Sequence, residues 1–343
     1  MRPSLRAIGL GLVLAVFLAA AATHWLWSVA GPDALVGGDL YNVWEEGQRV
    51  AQGHSPYARI VGQSLRENQN YPTYLPLSYL LVAFLDRLGF ESFPQFLPVW
   101  RLITLACHLA LGLLILVVYR RNNRPVAGLV ALTLVLLGRW SAYIIEVQQL
   151  DFAAILPLLL AGLLLRRRPV VSALLFGLSL SLKHLGILLL PCFLIELARL
   201  SASAAPTERR PMGSLLRYSL LALGLPALLS MPFLFQAADG FLLSMVFSLS
   251  REAADHGVAT GSPLLLASAD GSRVLLLALL LFTLLAQAKE RLGFWTAAVM
   301  VLLLFVQFSP VVFGQYFIWV LSVGLIAVVT HGGTSHQHRR DSE

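Results

Sequence analysis

The sequence predicts an all-α polytopic membrane protein of about ten transmembrane helices, with further juxtamembrane helices in its first outer loop. Three observations carry this reading. Apolar residues make up 57% of the 343 and charged residues only 13%, and the mean hydropathy of +0.75 lies well above globular norms. The apolar residues fall in runs, the first of which, Ile8 to Ala30, is long enough to cross a hydrocarbon core of about 30 Å at about 1.5 Å per residue. Short Lys/Arg clusters separate the runs and fix an orientation.

The first run exceeds the usual ~7–15 residue core of a signal peptide, and no small-x-small site ends it before Trp25 and Trp27, so it is read as a retained helix. Further runs cover roughly 97–119, 125–147, 150–165, 169–182, 185–199, 215–235, 272–288, 293–310 and 315–331. Alternating crossings place Arg2/Arg6, Arg120/Arg121/Arg124, Arg166/Arg167/Arg168, Arg199/Arg209/Arg210/Arg217, Lys289/Arg291 and Arg339/Arg340 all on one side. By the positive-inside rule that side is cytoplasmic, and both termini lie there. The apolar stretch Leu75–Leu88 is kept out of this count. As a helix it spans only about 21 Å, and a crossing there would invert every later loop; Pro72, Pro76 and Gly89 bound it as a re-entrant or juxtamembrane helix.

Two outer segments exceed simple turns, 31–96 and 236–262. In the first, Leu40, Val43, Trp44, Gly47, Val50 and Ala51 share a face, which predicts an amphipathic helix closed by Gly53 and Pro56. The stretches "LSASAAPTERRPMGS" and "HGGTSHQHRRDSE" read as solvated connectors, the tail histidines His331, His336 and His338 included. No soluble segment is long enough to fold alone, so residues 1–343 form one membrane domain. Cys107 and Cys192 lie inside apolar runs and read as packing residues. The formal charge of +7 does not suggest nucleic acid, because its basic residues cluster between spans instead of lining one face.

Topology sorts the ionisable residues to one level. Arg101, Glu146, Asp151, Lys183, His184 and Arg273 all fall near outer helix ends, with Gln148 and Gln149 between the two acids in "EVQQLD". A charge at membrane depth costs at least ~2.5–3.5 kcal/mol, so such groups face a cavity or one another. Snorkelling to headgroups is the alternative for each taken singly. Arg139 lies deeper and calls for a carboxylate partner or a deeper part of the cavity. Asp39 has two readings: an N-cap of the amphipathic helix, or a general base hanging over the outer pocket.

The order of these features resembles the GT-C class of integral-membrane glycosyltransferases, and within it the bacterial polyprenyl-phosphate-mannose-dependent mannosyltransferases. An apolar helix is followed by "GGDLYNVWEEGQRVAQGHSPY" and "YPTYLPLSYLLVAFLDRLG". Asp39, Gly53/Pro56/Tyr57 and Tyr71/Pro72 match the family's outer-loop acid, its "G.PY" element and its "YPP" helix. The stretch around "QQLDFAAILP" and "SLKHLG" is similar to the family's "GQ.N" and "LK..P" elements, and "SPVVFGQYFIWVL" to its "SPQY..W.LP" stretch. Thr73 replaces the second Pro of "YPP", Gln149 falls where the family has Gly-Gln, and Asp39 lacks a DxD partner, so neither a metal nor another cofactor is indicated.

The resemblance implies inverting transfer of a sugar, mannose in that family, from a polyprenyl-phosphate donor to a lipid, glycan or protein hydroxyl, in a bacterial inner membrane with the site facing outward. Asp39 is then the base. Lys183 and His184, with Arg101 and Arg273 in reserve, bind the donor phosphate. Glu146, Gln148, Gln149, Asp151, Tyr57, Gln315 and Tyr316 line the pocket, although an interfacial aromatic belt accounts equally for Tyr316 and Trp319. A secondary transporter or flippase would also use intramembrane charge, and a scaffold subunit would use the same residues for contact. Against transport stand the clustering of charge at one face and the lack of repeat-related broken helices.

Overall fold

The computed structural model describes residues 5–28, 32–63, 72–203, 211–250, 269–309 and 313–340. Among these every regular element is helical. In chain order they are α1 (Leu5–Ser28), α2 (Asp39–Ala51), α3 (Leu77–Arg87), α4 (Phe93–Arg121), α5 (Pro125–Leu137), α6 (Arg139–Val147), α7 (Asp151–Leu164), α8 (Pro169–Leu182), α9 (Leu190–Ala202), α10 (Pro211–Ser250), α11 (Ala269–Ala288), α12 (Phe294–Phe308) and α13 (Tyr316–Arg340). Short 3-10 turns lie at Pro32–Leu35, Ala58–Ile60 and His184–Leu189.

Five segments are long and apolar enough to cross a membrane: Ile8–Trp27, Phe93–Arg121, Pro125–Val147, His184–Ala202 and Met212–Val246. Another five apolar helices, Asp151–Leu164, Pro169–Leu182, Arg273–Ala288, Phe294–Phe308 and Tyr316–Thr330, are shorter. All ten apolar runs of the sequence are therefore helical, and half of them reach crossing length. On α1, Leu10, Leu14, Leu18 and Leu26 are exposed, as are Leu216, Leu220, Leu228 and Phe235 on α10. Apolar display on this scale suits hydrocarbon and not water, which marks a membrane-embedded helical protein.

Several boundaries differ from the sequence expectation. The run at 125–147 is broken at Gly138, whose extended backbone (φ −68°, ψ 153°) separates α5 from α6. A Cβ there would lie 2.3 Å from the Leu134 carbonyl oxygen, so glycine is required. The break frees carbonyls that must find partners in an apolar setting. The Val135 oxygen accepts from Ser141 Oγ and also lies 3.0 Å from His108 Nε2. His108 Nδ1 in turn meets His24 Nε2 at 3.0 Å, tying α1 to α4. Arg139, for which the sequence suggested a carboxylate partner or a deep cavity, is instead exposed at the start of α6, its guanidinium 4.6 Å from the centre of the Trp140 ring. The break makes it a helix-terminal residue rather than a mid-span one.

The outer segment expected at 236–262 is helical through Ser250, because α10 continues past a kink at Ala237 (φ −155°, ψ 64°); residues 251–262 lie outside the described residues, as does Tyr71. Helix α13 likewise runs on to Arg340, through most of the tail read as a connector.

The first outer segment is close to its prediction. Helix α2 buries Leu40, Val43, Glu46 and Gly47 against α3, an 11-residue helix too short to cross. Gly47 is where the two helices touch: a Cβ would fall 2.3 Å from Val82 Cβ. Glu46 on this apolar face is compensated by Arg59 at 2.5 Å and by Arg49 at 3.5 Å. Burial still dominates, holding the Glu46 carboxyl above its ordinary range despite both arginines. Helix α7 packs on α4 and α8, α8 on α10, and α13 on α4, α7 and α12, which brings the ends of α4, α6, α7, α8 and α13 around the start of α2.

Candidate functional site

The site begins where α2 does. Gly38, in extended conformation (φ −81°, ψ 174°), is the N-cap, and Asp39 is the first helical residue. This corrects the capping reading. Gly38 supplies the cap without a side chain, its carbonyl taking the Asn42 N–H at 3.0 Å. The exposed Asp39 carboxylate is left for another partner, while its charge remains favourable in the first turn of a helix. That partner is Gln149, whose Nε2 donates to Asp39 Oδ2 across 110 residues of chain.

Gln149 is held in place by the turn between α6 and α7. Gln148 closes α6 in the left-handed region (φ 54°), a conformation costing about 1–2 kcal/mol for a residue with a Cβ. Two contacts hold it there: the Trp100 indole donates to the Gln148 carbonyl at 3.1 Å, and the Gln148 side chain donates to the Ile145 carbonyl. Reversing the chain at Gln148 sends Gln149 toward α2 and starts α7 at Asp151.

Behind Gln149 stands Tyr74, from the irregular segment before α3. Its hydroxyl donates to Gln149 Oε1 at 3.0 Å. Its main chain is pinned on both sides, the N–H by the Tyr79 hydroxyl at 3.2 Å and the carbonyl by the Tyr57 hydroxyl at 2.8 Å. Burial first, then the carboxylates of Asp39 and Asp151, push the Tyr74 hydroxyl well above the ordinary phenol range, so it stays protonated.

The cation of the site is Lys183. It follows α8 in extended conformation (φ −148°, ψ 117°), which turns its side chain into the bundle. Its ammonium donates to both oxygens of the fully buried Asp151, at 2.8 and 2.7 Å, and lies 6.0 and 5.6 Å from the centres of the Tyr74 and Tyr316 rings. The Trp319 indole donates to Asp151 Oδ1 at 2.6 Å. Trp319 is therefore a buried ligand of the acid and not part of an interfacial belt. Buried charges require such full pairing.

The structure thus brings together Asp39, Gln149, Asp151, Lys183 and Tyr316, with Gln148 as the turn that aims them. Tyr57 stands one shell back, supporting Tyr74. His184 and Gln315 adjoin Lys183 and Tyr316 in the chain, and each carries a buried polar atom, His184 Nδ1 and Gln315 Oε1, that makes no hydrogen bond among the described residues. Glu146 is exposed on the last turn of α6, and no bond joins it to the cluster. Arg101, next to Trp100 on α4, and Arg273 on α11 are half-buried. Tyr74 is the member that sequence reasoning missed: it lies in an aperiodic stretch between two prolines, and only the surrounding "YPTYLP" element pointed to it. Among the described residues, no three His, Cys, Asp or Glu side chains gather as metal ligands would.

Chemically the arrangement offers an exposed carboxylate and a buried cation linked through Gln149 and Tyr74. Comparison of the chain with protein-family models, with curated proteins and with solved structures finds no match.

Proposed function

We propose that the chain is a glycosyltransferase of the GT-C kind, moving a sugar, mannose by resemblance, from a polyprenyl-phosphate donor to an acceptor hydroxyl at the outer face of a bacterial inner membrane. The observation that carries this reading is the link from Asp39 through Gln149 and Tyr74 to the Lys183–Asp151 pair. A polyprenyl donor keeps its phosphate at the interface while its tail stays in lipid, so base and cation must meet it at the ends of membrane helices. The cluster lies at helix ends, which supports this reading. The reading takes all ten apolar helices as spans, the shorter ones accommodated by local thinning of the bilayer, and both termini as cytoplasmic by the positive-inside rule.

In the reaction, the acceptor oxygen attacks the anomeric carbon from the face opposite the phosphate. Its proton passes to Asp39, the bond from anomeric carbon to phosphate oxygen breaks, and the electron pair leaves with polyprenyl phosphate. Configuration at the anomeric carbon inverts. Negative charge grows on the departing phosphate, where a preorganised cation in a water-poor site is most effective. Lys183 is that cation. Asp151 and Trp319 fix its position, leaving one of its three N–H groups for phosphate. His184 Nδ1 and Gln315 Oε1 supply further polar atoms for the ligands, and Arg101 and Arg273 stay in reserve as phosphate-binding cations by resemblance. The acceptor is a lipid, glycan or protein hydroxyl.

The test incubates purified protein with radiolabelled polyprenyl-phosphate sugars and a membrane extract as acceptor source. Label should leave one donor for a new product. No transfer from any donor overturns the reading.

A further inference from the structure

A primary amide looks alike either way round, and its orientation is settled by its neighbours. At Gln149 both ends are occupied: the Tyr74 hydroxyl at Oε1 (3.0 Å) and Asp39 Oδ2 at Nε2. The Tyr74 hydroxyl remains a donor, because burial first, and then the charges of Asp39 and Asp151, hold it protonated. The reversed amide would set Oε1 against the Asp39 carboxylate, acceptor facing acceptor. The acceptor-only carboxylate of Asp39 selects one orientation, and the Tyr74 hydroxyl, donating to the Oε1 that this leaves facing it, holds the amide there.

We propose that Gln149, braced by Tyr74, is the positioning residue that holds the Asp39 carboxylate for proton abstraction, an inference that rests on the transfer reading above. Asp39 Oδ2 accepts the amide N–H, while Oδ1 makes no hydrogen bond among the described residues. The acceptor proton therefore lands on Oδ1, and Oδ2 keeps its bond throughout; the carboxyl does not rotate between the base and its conjugate acid. Rigidity comes from behind. Tyr74 is pinned through its main chain by Tyr57 and Tyr79, and the Tyr57 ring is packed against Tyr79, Phe233 and Phe241 at 5.9, 5.9 and 5.0 Å. The chain from that aromatic cluster to the exposed acid has one soft joint, the Gln149 amide, and Tyr74 locks it.

Positioning of a base acts on the chemical step, where a misplacement of about 1 Å can cost about 100-fold. Gln149→Leu, which keeps the bulk and removes both hydrogen bonds, should lower kcat by about 10- to 100-fold with KM for donor and acceptor changed less than about threefold. Tyr74→Phe, which removes one hydroxyl and spares both main-chain anchors, should lower kcat by a smaller factor and carries the test if Gln149→Leu does not fold. Combined with Asp39→Asn, either substitution should cost nothing further in residual rate, since no base remains to be held. An active wild type whose kcat survives both substitutions overturns the positioning role and leaves sugar transfer standing. So does a loss that appears in KM, or one of equal size in the Asp39→Asn background. A wild type inactive with every polyprenyl-phosphate donor sinks the transfer reading, and this role with it.

Discussion

The Lys183 ammonium lies 2.8 and 2.7 Å from the two carboxylate oxygens of Asp151, and neither residue exceeds 5% side-chain exposure. A buried pair of this kind is weak evidence for stability as a pair, because each ion gives up its hydration; breaking it from one side is another matter. Asp151→Asn leaves an uncompensated ammonium and should cost about 3–5 kcal/mol of folding stability, and Lys183→Met should cost a similar amount. The double substitution Asp151→Asn/Lys183→Met should lose less than the two singles added, by a margin above about 0.5 kcal/mol. Unfolding of the purified variants in detergent measures all three.

Gly47 sets the distance between α2 and α3. A methyl group there meets Val82 Cβ at 2.3 Å, so Gly47→Ala should destabilise by about 1–3 kcal/mol through overpacking. It should also lower activity, because α2 carries Asp39. Gly47→Ala/Val82→Gly removes the clashing Cβ and should recover most of the activity, and the stability less the roughly 1 kcal/mol that glycine costs inside α3. Unfolding and transfer rates measured on the two variants decide between this local packing and a wider role for Gly47.

Glu46 gives the fold a pH dependence with a definite sign. Its carboxyl is held above its ordinary value near 4.5, burial outweighing Arg59 and Arg49. A raised carboxyl binds its proton more tightly folded than unfolded. Its contribution is therefore complete below the unfolded value and is lost as pH rises through the folded one. Glu46→Gln should flatten the decline in Tm over the window just above pH 4.5. Tm measured against pH for wild type and variant should converge at the acid end of that window.

What was legible in the sequence divides along physical lines. Periodicity showed α2 and its buried face through Leu40, Val43 and Gly47, and length together with the charge pattern separated α3 from the spans. Charge placement put Asp151 and Lys183 at one level, but their pairing, 32 residues apart, is tertiary. Glu46 escaped because a buried acid on an apolar face breaks the pattern, and its partner Arg59 comes from a 3-10 turn that no period marks. Asp39 was placed at the helix start, one residue from where the cap falls: glycine at 38 does the capping without a side chain. Tyr74 and Trp319 act through one hydroxyl and one indole N–H aimed across the bundle. Neither aim is written in composition or spacing.

The central claim is that Asp39 is the base of a sugar transfer. Because Gly38 caps α2, Asp39→Asn should leave helix content and unfolding temperature close to wild type. The most direct measurement is the rate of label transfer from radiolabelled polyprenyl-phosphate sugar by wild type and Asp39→Asn, purified side by side. Loss of a general base should lower that rate by about 100- to 10,000-fold. Transfer by a folded Asp39→Asn protein at the wild-type rate would contradict the account.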